Sequence, residues 1–173
     1  MSIMLELLPS AGPALVVGGG AVAARKVQNL VEGGFAVTVI APEIAPEIRA
    51  HPSVTLVESS FQPSDLPTDA PYALVFACTS DRETNRLVGE LARRARIPAL
   101  IAGDQSESTF FTPATHRDGD LTVAVSTAGA SPTLARDIRD RVAEALGGGW
   151  AEKVAAAREE RAARIAMRKD AES

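Results

Sequence analysis

The chain has little of what metal-centred or disulfide-stapled proteins depend on. Its 173 residues include one cysteine and two histidines. A single cysteine excludes an internal disulfide framework and a cysteine-based zinc site, and Cys78, inside an apolar run, reads as a buried reduced thiol. His51 and His116 fall in polar stretches read as turns. Neither has a partner at ligand spacing, so both read as surface histidines and no metal site is expected. The net charge of −4 comes with no basic stripe interleaved with aromatics, and gives no sign of a nucleic-acid surface. No apolar stretch approaches membrane-spanning length, and no basic segment followed by an apolar one opens the chain. A cytoplasmic protein without membrane contact is expected. There are no internal repeats and no low-complexity tract.

What is present is ample apolar side chain, 46% of residues, with 23% charged. That suits one globular domain of ordinary size plus a small appendage. The organising stretch is residues 14–26. A short apolar run at 14–17 reads as a buried strand. It breaks at three glycines and resumes at helical spacing, with Val22, Val27, Leu30 and Val31 on roughly one face. Gly18, Gly20 and Ala23 fill the slots of the dinucleotide fingerprint G-x-G-x-x-G/A. In that motif the first glycine makes a tight turn and the second lets backbone approach a pyrophosphate. The small third residue allows close helix packing, and the helix N-terminus faces the phosphates.

The rest of the chain repeats the alternation. Strands are expected at 36–41, 54–58, 72–79 and 98–102. Helices are expected at 43–50 and from Asp81 to about Arg96, the latter with Leu87, Val88 and Leu91 inward. A loop with one turn of helix fills 61–71. Such alternation means βαβ crossovers and a doubly wound parallel sheet in the order 3-2-1-4-5. After Gly103 the pattern changes. Strands at 109–112 and 121–126 are joined by a turn at 117–120, and Ser131 caps a helix with Pro132 at its first position. Glycines 147–149 break the chain before an alanine- and arginine-rich helix at 150–169. The middle region is too small to bury its own faces, so it is expected to pair with a second subunit.

In a switch-point fold the ligand lies at the carboxyl ends of the strands. Those ends nominate Gly18, Gly19, Gly20, Ala21, Val22, Pro42, Glu43, Thr79 and Asp81 on the cofactor side. The acid that usually holds the ribose is replaced by Ala41. Either Glu43 or backbone groups take its place; as an acid in a first helical turn, Glu43 is also favourable without a ligand. No arginine follows strand two to accept a 2′-phosphate, which favours NAD over NADP. Asp104, after strand five, faces the crevice. It reads as a general base once substrate contact and partial burial bring its pKa near the working pH, or else as a turn-forming residue. Ser126, Thr127, Gly129 and Ser131 form a small polar loop opening a helix. They either cap that helix or receive carboxylates there, helped by Arg136 and Arg139.

Four stretches resemble one family in order and spacing: V-V-G-G-G-A-V-A-A-R-K (16–26), A-C-T-S-D-R-E-T-N (77–85), G-D-Q-S-E-S-T-F-F-T-P-A (103–114) and G-D-L-T-V-A-V-S-T-A-G-A-S-P-T-L-A-R (119–136). The chain thereby resembles the precorrin-2 dehydrogenase/sirohydrochlorin ferrochelatase module of siroheme synthesis, over about residues 3–146. The resemblance implies oxidation of the tetrapyrrole precorrin-2 to sirohydrochlorin, with hydride passed to NAD; some members then insert iron, and cobalt is a possible alternative metal substrate. It places Ala21-Val22 and Pro42-Glu43 where the family holds NAD, and Asp104 at its catalytic aspartate. Thr127 falls where some relatives carry a phosphorylatable serine. The implied architecture is α/β: a Rossmann-type NAD-binding domain (1–107), a small α+β dimerisation and substrate region (108–147), and a short C-terminal helical tail (148–173), assembled as a homodimer. Two departures stand out. Ile101-Ala102-Gly103 replaces a stretch where the family often has Asn, and the tail supplies one helix where longer relatives supply several. Metal insertion is therefore expected to be slower than dehydrogenation. The competing function is a regulatory module that senses NAD without turnover, which has no need of Asp104.

Overall fold

The computed structural model describes residues 2–171. It divides into two compact units, one ending at Phe111 and the other starting at Thr112.

In the first unit, β1 (Ala14–Val17) is buried at every position and lies in the middle of a five-stranded sheet. Strands β2 (Val37–Ile40), β3 (Val54–Val57), β4 (Leu74–Ala77) and β5 (Ala99–Ile101) complete it in the order β3-β2-β1-β4-β5, as the βαβ alternation predicts. All pairings within it are parallel. Val17 stands opposite both Ile40 and Ala77, so β1, β2 and β4 end flush and their carboxyl ends form one rim.

Alternate residues of β1 serve opposite layers, which is why the run is apolar without a break. Ala14 and Val16 join Val39 and Phe76 against Ala23, Val27 and Leu30 of α1 (Ala21–Glu32). Leu15 and Val17 join Ile40, Val75 and Ala77 against Val88 and Ala92 of α3 (Arg82–Ala95). Each fully buried valine or leucine contributes about 1.5–3 kcal/mol. Leu91 packs half-buried against this layer, and Leu87 is half-buried on the same helix. Val22, expected on the inward face of α1, is 40% exposed, because the first helical turn stands beyond the end of the sheet.

Helix α2 (Pro46–Arg49) is shorter than expected. The Ala45 N–H donates to the Gly19 carbonyl at 2.8 Å, which holds the segment after β2 as a loop against the glycine turn; the helix begins only at Pro46.

The second unit holds an antiparallel hairpin of β6 (Ala114–Asp118) and β7 (Leu121–Val125), followed by α4 (Pro132–Leu146) and α5 (Trp150–Ala171). The strand expected at 109–112 is absent. Thr109 instead lies along β5: its N–H donates to the Ala99 carbonyl, and its hydroxyl accepts from the Ala99 N–H, both at 2.8 Å. Ser108 Oγ accepts from the Ile101 N–H at 2.9 Å. Two hydroxyl side chains thus satisfy the open edge of the sheet, and Phe110 turns inward, edge-on to Phe76 at 5.4 Å. The first hairpin strand starts after Pro113, so His116 lies in β6 rather than in a turn. Ser131 caps α4 as expected, accepting from the Leu134 N–H. Asp118 accepts from the Trp150 N–H at 2.8 Å where α5 begins. Among the described residues no helix is long and apolar enough to cross a membrane.

Candidate active site

The three glycines after β1 answer to different constraints. Gly18 has φ +117°, and a Cβ there would stand 2.6 Å from the Cys78 carbonyl oxygen. At Gly19 a Cβ would fall 2.0 Å from the Glu43 carbonyl oxygen, because the β2–α2 loop crosses directly over it. Both are glycine for the protein's own packing. Gly20 differs. Nothing lies within 4 Å of where its Cβ would be, and its backbone is ordinary extended chain at φ −87°. It caps α1 without a side-chain cap, and no acid stands in the first turn. A helix N-terminus with a bare, open approach suits a phosphate. Ala23, the small third residue, is fully buried against the sheet. Ala21, Val22, Pro42 and Glu43 are exposed on the same rim.

The loop from β4 to α3 is tied internally. Asn85, a buried polar side chain at 5% exposure, is its keystone. Its Oδ1 accepts from the Thr79 N–H (3.0 Å) and hydroxyl (2.9 Å), and its Nδ2 donates to the Thr79 carbonyl (3.0 Å). The Asp81 carboxylate caps α3, accepting from the Thr84 N–H and hydroxyl and from the Glu83 N–H. Those bonds, the Thr84 hydroxyl first, hold its carboxyl below the ordinary carboxylate range. The side chains of Thr79 and Asp81 are thus committed to shaping the loop. Asn85 went unassigned in the sequence. Its signal was an asparagine, a poor helix former, inside the first turns of a helix.

Asp104 stands in the turn after β5. With Thr79, Ser80, Asn85, Arg82, Arg86 and Glu107 it lines a cleft of about 270 Å³ at the carboxyl ends of β4 and β5. Its Oδ1 accepts from the Ser106 hydroxyl at 2.7 Å and from the N–H groups of Ser106 and Glu107. The Ser106 hydroxyl is the largest of several influences that lower its pKa, and the Arg82 charge acts in the same direction. The chain by itself therefore makes Asp104 a more acidic carboxyl, opposite to the rise expected from burial.

Beside the rim, Lys26 of α1 reaches over the Phe76 ring with Nζ 5.7 Å from its centroid, and burial lowers its pKa. Cys78 is buried, and desolvation raises its thiol pKa to about 11.

In the second unit, the 126–131 loop is closed by its own polar groups. Thr127 Oγ1 accepts from the Ser131 N–H and donates to its carbonyl, both at 3.1 Å, while Ser126 Oγ accepts from the Ala128 N–H. Ala128 and Gly129 follow in the left-handed region at φ +51° and +83°, a strained conformation for alanine. Arg136 is exposed on α4. Arg139 turns instead to its own unit, donating to the Thr115 carbonyl at 3.2 Å and pairing with Asp140 at 2.7 Å.

Comparison with known proteins agrees with this geometry. The NAD(P)-binding family model matches residues 7–114, and the model of the sirohaem biosynthesis protein central region matches residues 118–145. The chain is 40% identical over 137 residues to siroheme synthase 3 of Aeromonas hydrophila, covering 78% of this chain and 28% of that protein. It is 38% identical over 133 residues to the siroheme synthase of Methylobacillus flagellatus, covering 75% and 28%. The chain thus spans little more than a quarter of the length of these relatives. Among solved structures, SirC, a precorrin-2 dehydrogenase, superposes with a TM-score of 0.67 at 26% identity, over 88% of this chain and 74% of that one. The bare Gly20 approach, the Rossmann-type sheet and these matches lead to one conclusion: the chain belongs to the NAD(P)-binding family of siroheme biosynthesis, that of the precorrin-2 dehydrogenase module.

Proposed function

We propose that the chain is an NAD-dependent precorrin-2 dehydrogenase that forms sirohydrochlorin. One observation carries the reading: the open Gly20 cap of α1 and the carboxylate of Asp104 stand at the carboxyl ends of β1 and β5, on either side of β4. Gly18, Gly20, Ala21 and Val22 would hold the pyrophosphate through backbone at the start of α1. Pro42 and Glu43 would border the ribose, where an acid favours free hydroxyls over a 2′-phosphate, hence NAD rather than NADP. When bound, NAD supplies the hydride acceptor. Removing two hydrogens from the tetrapyrrole also releases a proton, and Asp104 takes it at a carboxylate oxygen before passing it to solvent. The polar loop at 126–131, with Arg136, would receive substrate carboxylates at the N-terminus of α4. The same aspartate would take pyrrole protons during insertion of iron or cobalt, so both activities should fall together when it is replaced.

We further propose a homodimer through the second unit. Among the described apolar residues of that unit only Ala135 is buried, while Leu134 and Ile138 of α4 are 50% and 38% exposed. Sedimentation at micromolar concentration checks this, and a monomer contradicts it.

The deciding experiment is anaerobic incubation of fresh precorrin-2 with NAD or NADP, reading reduced nicotinamide by its near-ultraviolet absorbance. Reduction with NAD supports the dehydrogenase. Tight NAD binding without any reduction identifies a sensor module instead.

A further inference from the structure

The cleft beside Asp104 carries charges of both signs, and they are not equivalent. Arg82 and Arg86 come from α3, whereas Asp104 and Glu107 come from the loop after β5. Four residues apart, the two arginines share one face of the helix. Glu107 is already paired with Arg93 at 2.8 Å. Arg86 lies 3.7 Å from Glu90 on its own helix. Arg82 is exposed, makes no ion pair among the described residues, and lends its charge to Asp104. A guanidinium so placed does little for the fold. It offers a planar fork to an anion that enters the cleft.

We propose that Arg82, seconded by Arg86, binds a carboxylate of the tetrapyrrole substrate and seats it beside Asp104. This inference rests on the dehydrogenase reading. The tetrapyrroles of that reaction bear several carboxylates, and one held by Arg82 neutralises a charge that Asp104 otherwise feels. Seating the substrate thereby strengthens the base that acts on it. The other charged side chains lining the cleft are Arg86 and Glu107, the latter with Arg93 upon it.

The test uses the full chain with Arg82→Gln and Arg82→Lys. Two readouts are followed: steady-state kinetics with precorrin-2 and NAD, and fluorescence titration with sirohydrochlorin. Arg82→Gln is expected to raise both the KM for precorrin-2 and the Kd for sirohydrochlorin about tenfold, the worth of one charge-assisted hydrogen bond. The acid limb of kcat/KM should move to higher pH, since Asp104 loses a neighbouring cation. The KM for NAD and the melting temperature should hold, and Arg82→Lys, which restores the charge but not the planar fork, should recover only part of the affinity. Unchanged precorrin-2 KM and sirohydrochlorin Kd overturn the proposal. So does an effect confined to the KM for NAD, which would assign Arg82 to the dinucleotide. Arg82-dependent sirohydrochlorin binding without precorrin-2 oxidation sinks the dehydrogenase reading and keeps the carboxylate site.

Discussion

The two units of this chain solve the problem of a core in opposite ways. Residues up to 111 wrap a five-stranded sheet in helices on both faces and contain, among the described residues, every buried apolar one but Ala135. From Thr112 onward a hairpin and two helices bury Ala135 alone among the described apolar residues. A parallel sheet must be covered on both sides to exist at all. A two-stranded hairpin is marginal by itself and needs something to pack against. The first unit can therefore fix a site rigidly within one chain, and the second offers surface that a partner can complete.

The largest expected break in that contrast lies in the glycine turn. Gly19→Ala forces a Cβ to 2.0 Å from the Glu43 carbonyl oxygen. It should destabilise the first unit by about 3–5 kcal/mol in denaturant melts. Gly20→Ala, one residue away, meets only open space. It should leave stability within about 0.5 kcal/mol while weakening NAD binding at least about tenfold by calorimetry, since the methyl occupies the phosphate approach. Equal effects at the two positions would contradict the assignment of Gly20 to a ligand.

Asn85→Ala comes next. It leaves the Thr79 N–H and carbonyl without their buried partner, at a cost of about 2–4 kcal/mol. Urea unfolding followed by circular dichroism measures it.

Cys78 gives a pH signature confined to the first unit. The folded thiol keeps its proton up to about 11, against an ordinary value of 9.0. Stability from this group is intact below pH 9 and declines between about 9 and 11, as the unfolded thiol ionises and the folded one does not. The loss should reach roughly 2–3 kcal/mol. A thiol reagent at pH 8 should find Cys78 inert until the chain unfolds.

The smallest effect on the first unit belongs to the second. Leu134→Glu with Ile138→Glu should turn the proposed dimer into a monomer by sedimentation. Unfolding of the first unit should shift by less than about 0.5 kcal/mol.

How far the sequence could be read follows the same division. The sheet was legible because each buried strand is an apolar run bounded by glycine, proline or a capping acid, and the glycine fingerprint pointed to the rim. The short α2 was not, because its length depends on the Ala45–Gly19 hydrogen bond between segments distant in sequence. The same holds at Thr109, which reads as the start of a strand by composition but, with Ser108 beside it, acts as a side-chain cap on β5. Asp104 was nominated from its position after strand five, and it lines the cleft there. Its acidity was not legible, since that depends on the Ser106 hydroxyl folding back onto it.

The most direct measurement is anaerobic turnover of precorrin-2 with NAD, by the wild-type chain and by Asp104→Asn. The wild type should yield reduced nicotinamide and sirohydrochlorin in equal amounts. Asp104→Asn should lose about 10²-fold in rate with NAD affinity unchanged, the usual worth of a general base. Tight NAD binding without turnover, or an asparagine variant as fast as the wild type, would contradict the assignment of Asp104 as the base of a precorrin-2 dehydrogenase.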